Sequence, residues 1–163
     1  MDNNTIERIV AEVVSGVKGD ASADSITLEQ AKRLAREVEK KASQMGVKAV
    51  VAVSNTAARP VLVECMDDSY IASYDVAFNK AYTVVALKMS TIALKDLAQP
   101  GQSLYGIQFT NGGQIVIFGG GDPLIYNGKI IGGLGVSGGS EKQDTELSAY
   151  GASILPKIMK GEN

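Results

Sequence analysis

The sequence contains no histidine and no tryptophan, one cysteine and four prolines in 163 residues. The missing histidine excludes imidazole acid–base chemistry, every triad that needs it, and His-ligated metal or haem. A single thiol, Cys65, excludes an internal disulfide and a Cys-rich zinc site. No apolar run reaches the length of about 18 residues that a membrane span needs. The opening Met1-Asp2-Asn3-Asn4 lacks the basic region and apolar core of a signal peptide, so a cytoplasmic location is expected. Sixteen basic residues against eighteen acidic ones give a net charge of −2. That balance argues against a general nucleic-acid binder, whose affinity comes from neutralising phosphates. What is present is a 45% hydrophobic, 21% charged chain, the composition of one globular domain with a real core.

Three segments follow from the pattern: residues 1–18, a linker at 19–25, and a domain over 26–163. In the first, Ile6, Ile9, Val10, Val13, Val14 and Val17 form one apolar stripe at helical spacing. Asn4 or Thr5 can cap that helix, and Glu7 suits its first turn. The following small, polar residues read as a tether. Such a stripe must be covered, either by the chain's own domain or oligomer, or by a groove on another protein.

In the domain, Thr27 and Gln30 have capping-box spacing ahead of an apolar face from Leu28 to Met45, and Gly46 is a natural stop. Val47–Val53 and Val61–Met66 read as a hairpin across the turn residues 55–60. A helix is expected from Tyr70 to Lys88, capped by Asp68 or Ser69. A short one follows Ser90 and ends near Leu97 before Pro100-Gly101. Gln114–Phe118 reads as a strand and residues 119–123 as a tight glycine loop. Leu124–Tyr126 and Lys129–Ser137 flank the hairpin turn Asn127-Gly128. Ser140 and Gln143 open a last helix to about Leu155, which Pro156 should end or kink. The expected fold is α/β (α+β): an antiparallel sheet of about five strands flanked by helices, preceded by a short amphipathic helix.

Several residues invite a chemical reading. Gly133-Leu134-Gly135-Val136-Ser137-Gly138 matches a dinucleotide fingerprint in letters only. No second parallel strand follows, and Glu141 and Asp144 would repel a pyrophosphate, so close helix–sheet packing explains the glycines better. Gly119, Gly120 and Gly121 are either a turn or a ligand-contacting loop with Asp122, without the Lys-Ser/Thr of a P-loop. Capping and dipole compensation account for Glu141 and Asp144. Lys80 sits among Phe78, Ala81 and Tyr82, as a snorkelling surface lysine or a ligand contact. Cys65, in an apolar strand, reads as an inert core thiol. Tyr70, Tyr74 and Tyr82 are half-buried core or pocket lining.

Residues 119–144, GGGDPLIYNGKIIGGLGVSGGSEKQD, resemble the closing signature of the GlcG/HbpS family, which includes the C-terminal domain of PduO. Phe78-Asn79-Lys80-Ala81-Tyr82-Thr83 is similar to that family's K-A-x-T helix, and the first helix and hairpin also match. The resemblance spans residues 26–155. It implies an oligomeric α/β sandwich that binds haem or a corrinoid-related ligand, with Lys80, Thr83, Gly119, Gly120, Gly121 and Asp122 as ligand contacts. The adenosyltransferase activity of PduO belongs to a different domain and is not expected here. Without histidine, a protein ligand to haem iron would be Tyr, Cys65, Met or Lys. Residues 1–18 resemble encapsulation peptides of bacterial microcompartments. That resemblance implies a shell or cargo partner docked through Ile6, Ile9, Val10, Val13, Val14 and Val17, and a location in the microcompartment lumen. The expected role is an accessory small-ligand-binding protein. An enzyme acting on a small carbonyl or hydroxy-acid metabolite, with Lys80, Asp122 and a tyrosine as its polar groups, and a ligand-free scaffold are the alternatives.

Overall fold

The computed structural model describes residues 24–161. The amphipathic helix expected over 4–18, and with it Ile6, Ile9, Val10, Val13, Val14 and Val17, lies outside them. Helix α1, Leu28–Gln44, begins at the capping box expected from its sequence. Thr27 Oγ1 accepts from the Gln30 N–H at 3.2 Å, and the Gln30 side chain accepts from the Thr27 N–H at 2.9 Å. Gly46, at φ +68°, takes the left-handed turn that follows. Strands β1, Val50–Ser54, and β2, Pro60–Cys65, form the expected hairpin.

Helix α2 runs from Ser73 to Ala86, shorter than expected. Asp68 turns away at φ +63° and Lys88 at φ +57°, so neither end residue can continue a helix, and no side chain caps the start. Helix α3, Thr91–Leu97, is capped by Ser90 as its sequence suggests. Two single 3₁₀ turns, Ile107–Phe109 and Asn111–Gly113, punctuate the loop beyond it. Strands β3, Gly121–Tyr126, and β4, Lys129–Ser137, then form the second hairpin. Asn127 at φ +49° and Gly128 at φ +75° take the positive angles of a type I′ turn. Helix α4, Glu141–Lys160, opens on the Ser140–Gln143 capping box and passes through Pro156 to end at Gly161. Pro156 does not end the helix: Leu155 and Ile158 on either side are buried in the core, which offsets the hydrogen bond that proline cannot donate.

The sheet is antiparallel with strand order β2-β1-β4-β3, four strands among the described residues rather than about five. The missing strand is Gln114–Phe118. Its backbone is satisfied by a side chain instead of a ladder: the Val116 N–H donates to Thr83 Oγ1 at 3.0 Å, and that hydroxyl donates to the Asn79 carbonyl at 2.7 Å. The glycine loop is also shorter than expected, since Gly121, Asp122 and Pro123 already pair with Gly135, Leu134 and Gly133 of β4.

Alternation along β1 and β4 sorts the two faces of the sheet. Val51, Val53, Leu134 and Val136 join Leu34, Val38, Leu147 and Leu155 under α1 and α4. Val50 and Ala52 face Ala77 and Ala81 of α2. Gly133 and Gly135 lie on this second face. A Cβ on Gly135 would run into the Ala77 carbonyl, and one on Gly133 would stand 2.5 Å from the Ala81 carbonyl. The glycines of the fingerprint-like run therefore bring α2 against the sheet, as packing predicts.

Candidate functional site

Helix α2 carries Lys80 on its buried stripe, with Ala77, Ala81 and Val84 at helical spacing around it. Lys80 is 0% exposed, not a snorkelling surface lysine. Its Nζ donates to the Val136 carbonyl at 2.7 Å and to Asp144 Oδ2 at 3.0 Å. The Phe118 ring lies 5.0 Å from the same ammonium. Asp144, on the first turn of α4, uses its second oxygen to accept the Gly139 N–H at 2.9 Å. Asp144 is thus the counter-ion of Lys80, beyond compensating a helix dipole.

Burial dominates the electrostatics of this pair. Desolvation pushes Lys80 below the ordinary lysine value and Asp144 above the ordinary aspartate value, although each attracts the other's charge. An ion pair so placed survives because every charged atom has a hydrogen-bond partner.

The glycine loop closes over the pair. Gly120 sits at φ +109°, and a Cβ there would come within 2.5 Å of Lys80 Nζ and 2.8 Å of the Asp144 Cβ. The Gly120 carbonyl accepts from the Val136 N–H at 2.8 Å. The Gly119 N–H donates to Glu141 Oε1 at 3.1 Å, and the Gly121 N–H to Thr91 Oγ1 at 2.9 Å. Lys95 holds Glu141 from the other side at 2.7 Å, and these two donors keep its carboxyl below the usual range. Gly119 and Gly121 thus spend their amides inside the molecule and have none free for a phosphate.

The structure brings Lys80 and Gly119–Gly121 together and separates the other expected residues from them. Thr83 is buried one turn along α2, clamping residues 114–116. Asp122 points to the opposite sheet face, where its Oδ2 accepts from the buried Ser148 hydroxyl at 2.6 Å. Burial raises the Asp122 carboxyl, and the Ser148 bond offsets only part of that rise. Cys65 ends the edge strand β2 and is exposed, not a core thiol. Tyr74 stacks on Phe78 at 6.4 Å, and Tyr82 accepts from Asn111 Nδ2 at 3.2 Å, so the aromatics of α2 lie along its outer side.

Asp144 and Ser148 were not legible as partners from the sequence, because 64 and 26 residues separate them from Lys80 and Asp122. One signal was available: a lysine inside an apolar helical stripe requires a buried counter-charge.

The comparisons agree with this architecture. The family described as "Haem degrading protein HbpS-like" matches residues 26–153. An uncharacterized 15.0 kDa protein from the dhaT-dhaS intergenic region of Citrobacter freundii is 48% identical over 124 residues, covering 76% of this chain and 87% of that one. The corrinoid adenosyltransferase PduO of the same organism is 31% identical over 149 residues, 90% of this chain but only 44% of PduO. Among solved structures, Klebsiella pneumoniae protein ORFY superposes with a TM-score of 0.78 at 41% identity, over 80% of this chain and 90% of that one. A PduOC:heme complex superposes with a TM-score of 0.76 at 35% identity, over 79% of this chain and 94% of that one. The sandwich, the closed glycine loop and the match over residues 26–153 together place this chain in the HbpS-like family.

Proposed function

We propose that this protein is an accessory small-ligand-binding protein, that haem or a related tetrapyrrole is its ligand, and that it works as a binder rather than an enzyme. The observation that carries the reading is its likeness to the PduOC:heme complex over 79% of the chain. The state of the polar residues supports binding over catalysis. Lys80 is occupied by Asp144 and the Val136 carbonyl, Thr83 by the backbone of Asn79 and Val116, and the amides of Gly119 and Gly121 by Glu141 and Thr91, so none of these groups stands free as a nucleophile or base. The closed arrangement does not fit a tetrapyrrole in its interior. Lys80, Thr83 and Gly119–Asp122 therefore hold the sandwich together, and the proposed ligand lies on its surface, away from them.

Among the described residues, no helix is long and apolar enough to cross a membrane. We place the protein in a bacterial microcompartment, delivered by residues 1–18, whose apolar stripe docks on a shell or cargo protein. A homo-oligomer belongs to the same proposal: Ile71 is 96% and Phe109 83% exposed, with Tyr70 and Tyr105 also bare. The test is a hemin titration of the full chain followed by absorption. A saturable Soret shift at stoichiometric hemin is expected; a featureless, unsaturable rise would overturn the haem assignment.

A further inference from the structure

If haem is the ligand, the chain must offer a place for it that is not the closed Lys80 cluster. A surface groove of about 400 Å³ runs between α1 and α4. Arg33, Arg36 and Lys40 line one wall at helical spacing, and Tyr150, Ile154 and Lys157 line the other. Glu37 is the groove's one acidic residue, and Lys40 already pairs with it at 2.9 Å. Four cations thus gather around an apolar floor in a chain whose net charge is −2. Arg33 adds a second observation: its Nε is shielded from solvent and has no hydrogen-bond partner. A buried guanidinium donor left unmade is costly, and the same side chain lines the groove.

We infer that this groove holds one edge of an iron(III) tetrapyrrole, with Tyr150 as the protein ligand to iron and Arg33, Arg36 and Lys157 paired with the propionates. The inference rests on the haem reading and deepens it by naming the site. Phenolate is one of the ligands by which proteins hold haem iron, and it is available in a chain without histidine. A flat, apolar dianion matches an apolar floor under a cationic rim better than a small polar metabolite does. Tyr150 is half-buried on a helix anchored by Leu147 and Leu155, so its ring is held by the scaffold rather than by a loop.

The experiment is a hemin titration of the full-length protein and of Tyr150→Phe, Arg33→Gln/Arg36→Gln and Cys65→Ser, read by absorption and resonance Raman. Thermal melts of each variant guard against misfolding. The expected result is saturable binding with phenolate–iron vibrations in the wild type and in Cys65→Ser. Tyr150→Phe loses those vibrations, and Arg33→Gln/Arg36→Gln weakens binding roughly tenfold or more, as lost charge-assisted bonds should. If the wild type binds hemin and Tyr150→Phe keeps its spectrum and affinity, the groove assignment is overturned while the haem reading stands. If the wild type shows no saturable binding, the haem reading itself fails and takes the groove with it.

Discussion

Lys80 carries its charge where no water reaches it, and its environment is built around that fact. Asp144, the Val136 carbonyl and the Phe118 ring surround one ammonium, and the Gly139 amide completes the carboxylate. Removing either charge leaves the other buried and uncompensated, which costs about 3–5 kcal/mol. Lys80→Met should therefore lower the unfolding free energy by that amount in a urea titration. The double variant Lys80→Met/Asp144→Asn should recover a substantial part of it, since no lone charge remains. Losses below about 1 kcal/mol in the single variant would mean that the pair is not buried as described.

Asp122 offers a cleaner titration. Its carboxyl is raised by burial in the folded state, so the folded protein holds that proton more tightly than the unfolded chain. The resulting stability is fully present below the unfolded pKa and is lost as pH rises through the folded one. Asp122→Asn keeps the shape and an acceptor for Ser148 but cannot ionise. Its melting temperature should match or exceed the wild type at neutral pH, with the difference shrinking in acid. A variant less stable than the wild type at neutral pH and equal to it in acid would reverse the sign and sink the assignment. At this scale the sequence was only half legible. Lys80 stood out as a polar residue in apolar company and Asp122 as the end of a glycine loop, but their partners lie on other elements, and no local spacing points to Asp144 or Ser148.

Among the elements, those with local chemistry were readable and those held by tertiary contacts were not. Both capping boxes and the Asn127-Gly128 turn formed where their residues stand, because each satisfies its own backbone within a few residues. Gln114–Phe118 has a strand's composition, yet Thr83 takes its hydrogen bonds from a neighbouring helix. Pro156 predicts a helix end, yet the core beneath it holds α4 for one more turn.

Two glycine substitutions separate conformational cost from steric cost. At Gly128 nothing lies within 4 Å of an added Cβ, so Gly128→Val loses only the positive φ, at least about 1 kcal/mol. At Gly135 an added methyl meets the backbone of α2, so Gly135→Ala should cost more despite the smaller side chain. Urea midpoints in the opposite order would show that α2 is not pressed against β4.

For the whole molecule, one sheet covered on both faces leaves an outer shell that the fold itself does not use. The aromatic side of α2 and the loop with Phe109 expose apolar surface, and the α1–α4 groove gathers positive charge. Sedimentation equilibrium should find a species larger than one chain at micromolar concentration; a monomer throughout would assign the exposed aromatics to another partner. Deleting residues 1–20 should leave the melting temperature unchanged and abolish co-purification with shell proteins. A large drop in melting temperature would instead place that segment on its own domain.

On the function proposed, a chain without histidine binds haem on an HbpS-like sandwich. Titrating hemin into the purified full-length protein tests it most directly. A saturable Soret shift that ends at a fixed stoichiometry is the predicted result. A linear rise with no end point, matching hemin added to a protein of another fold, would contradict it.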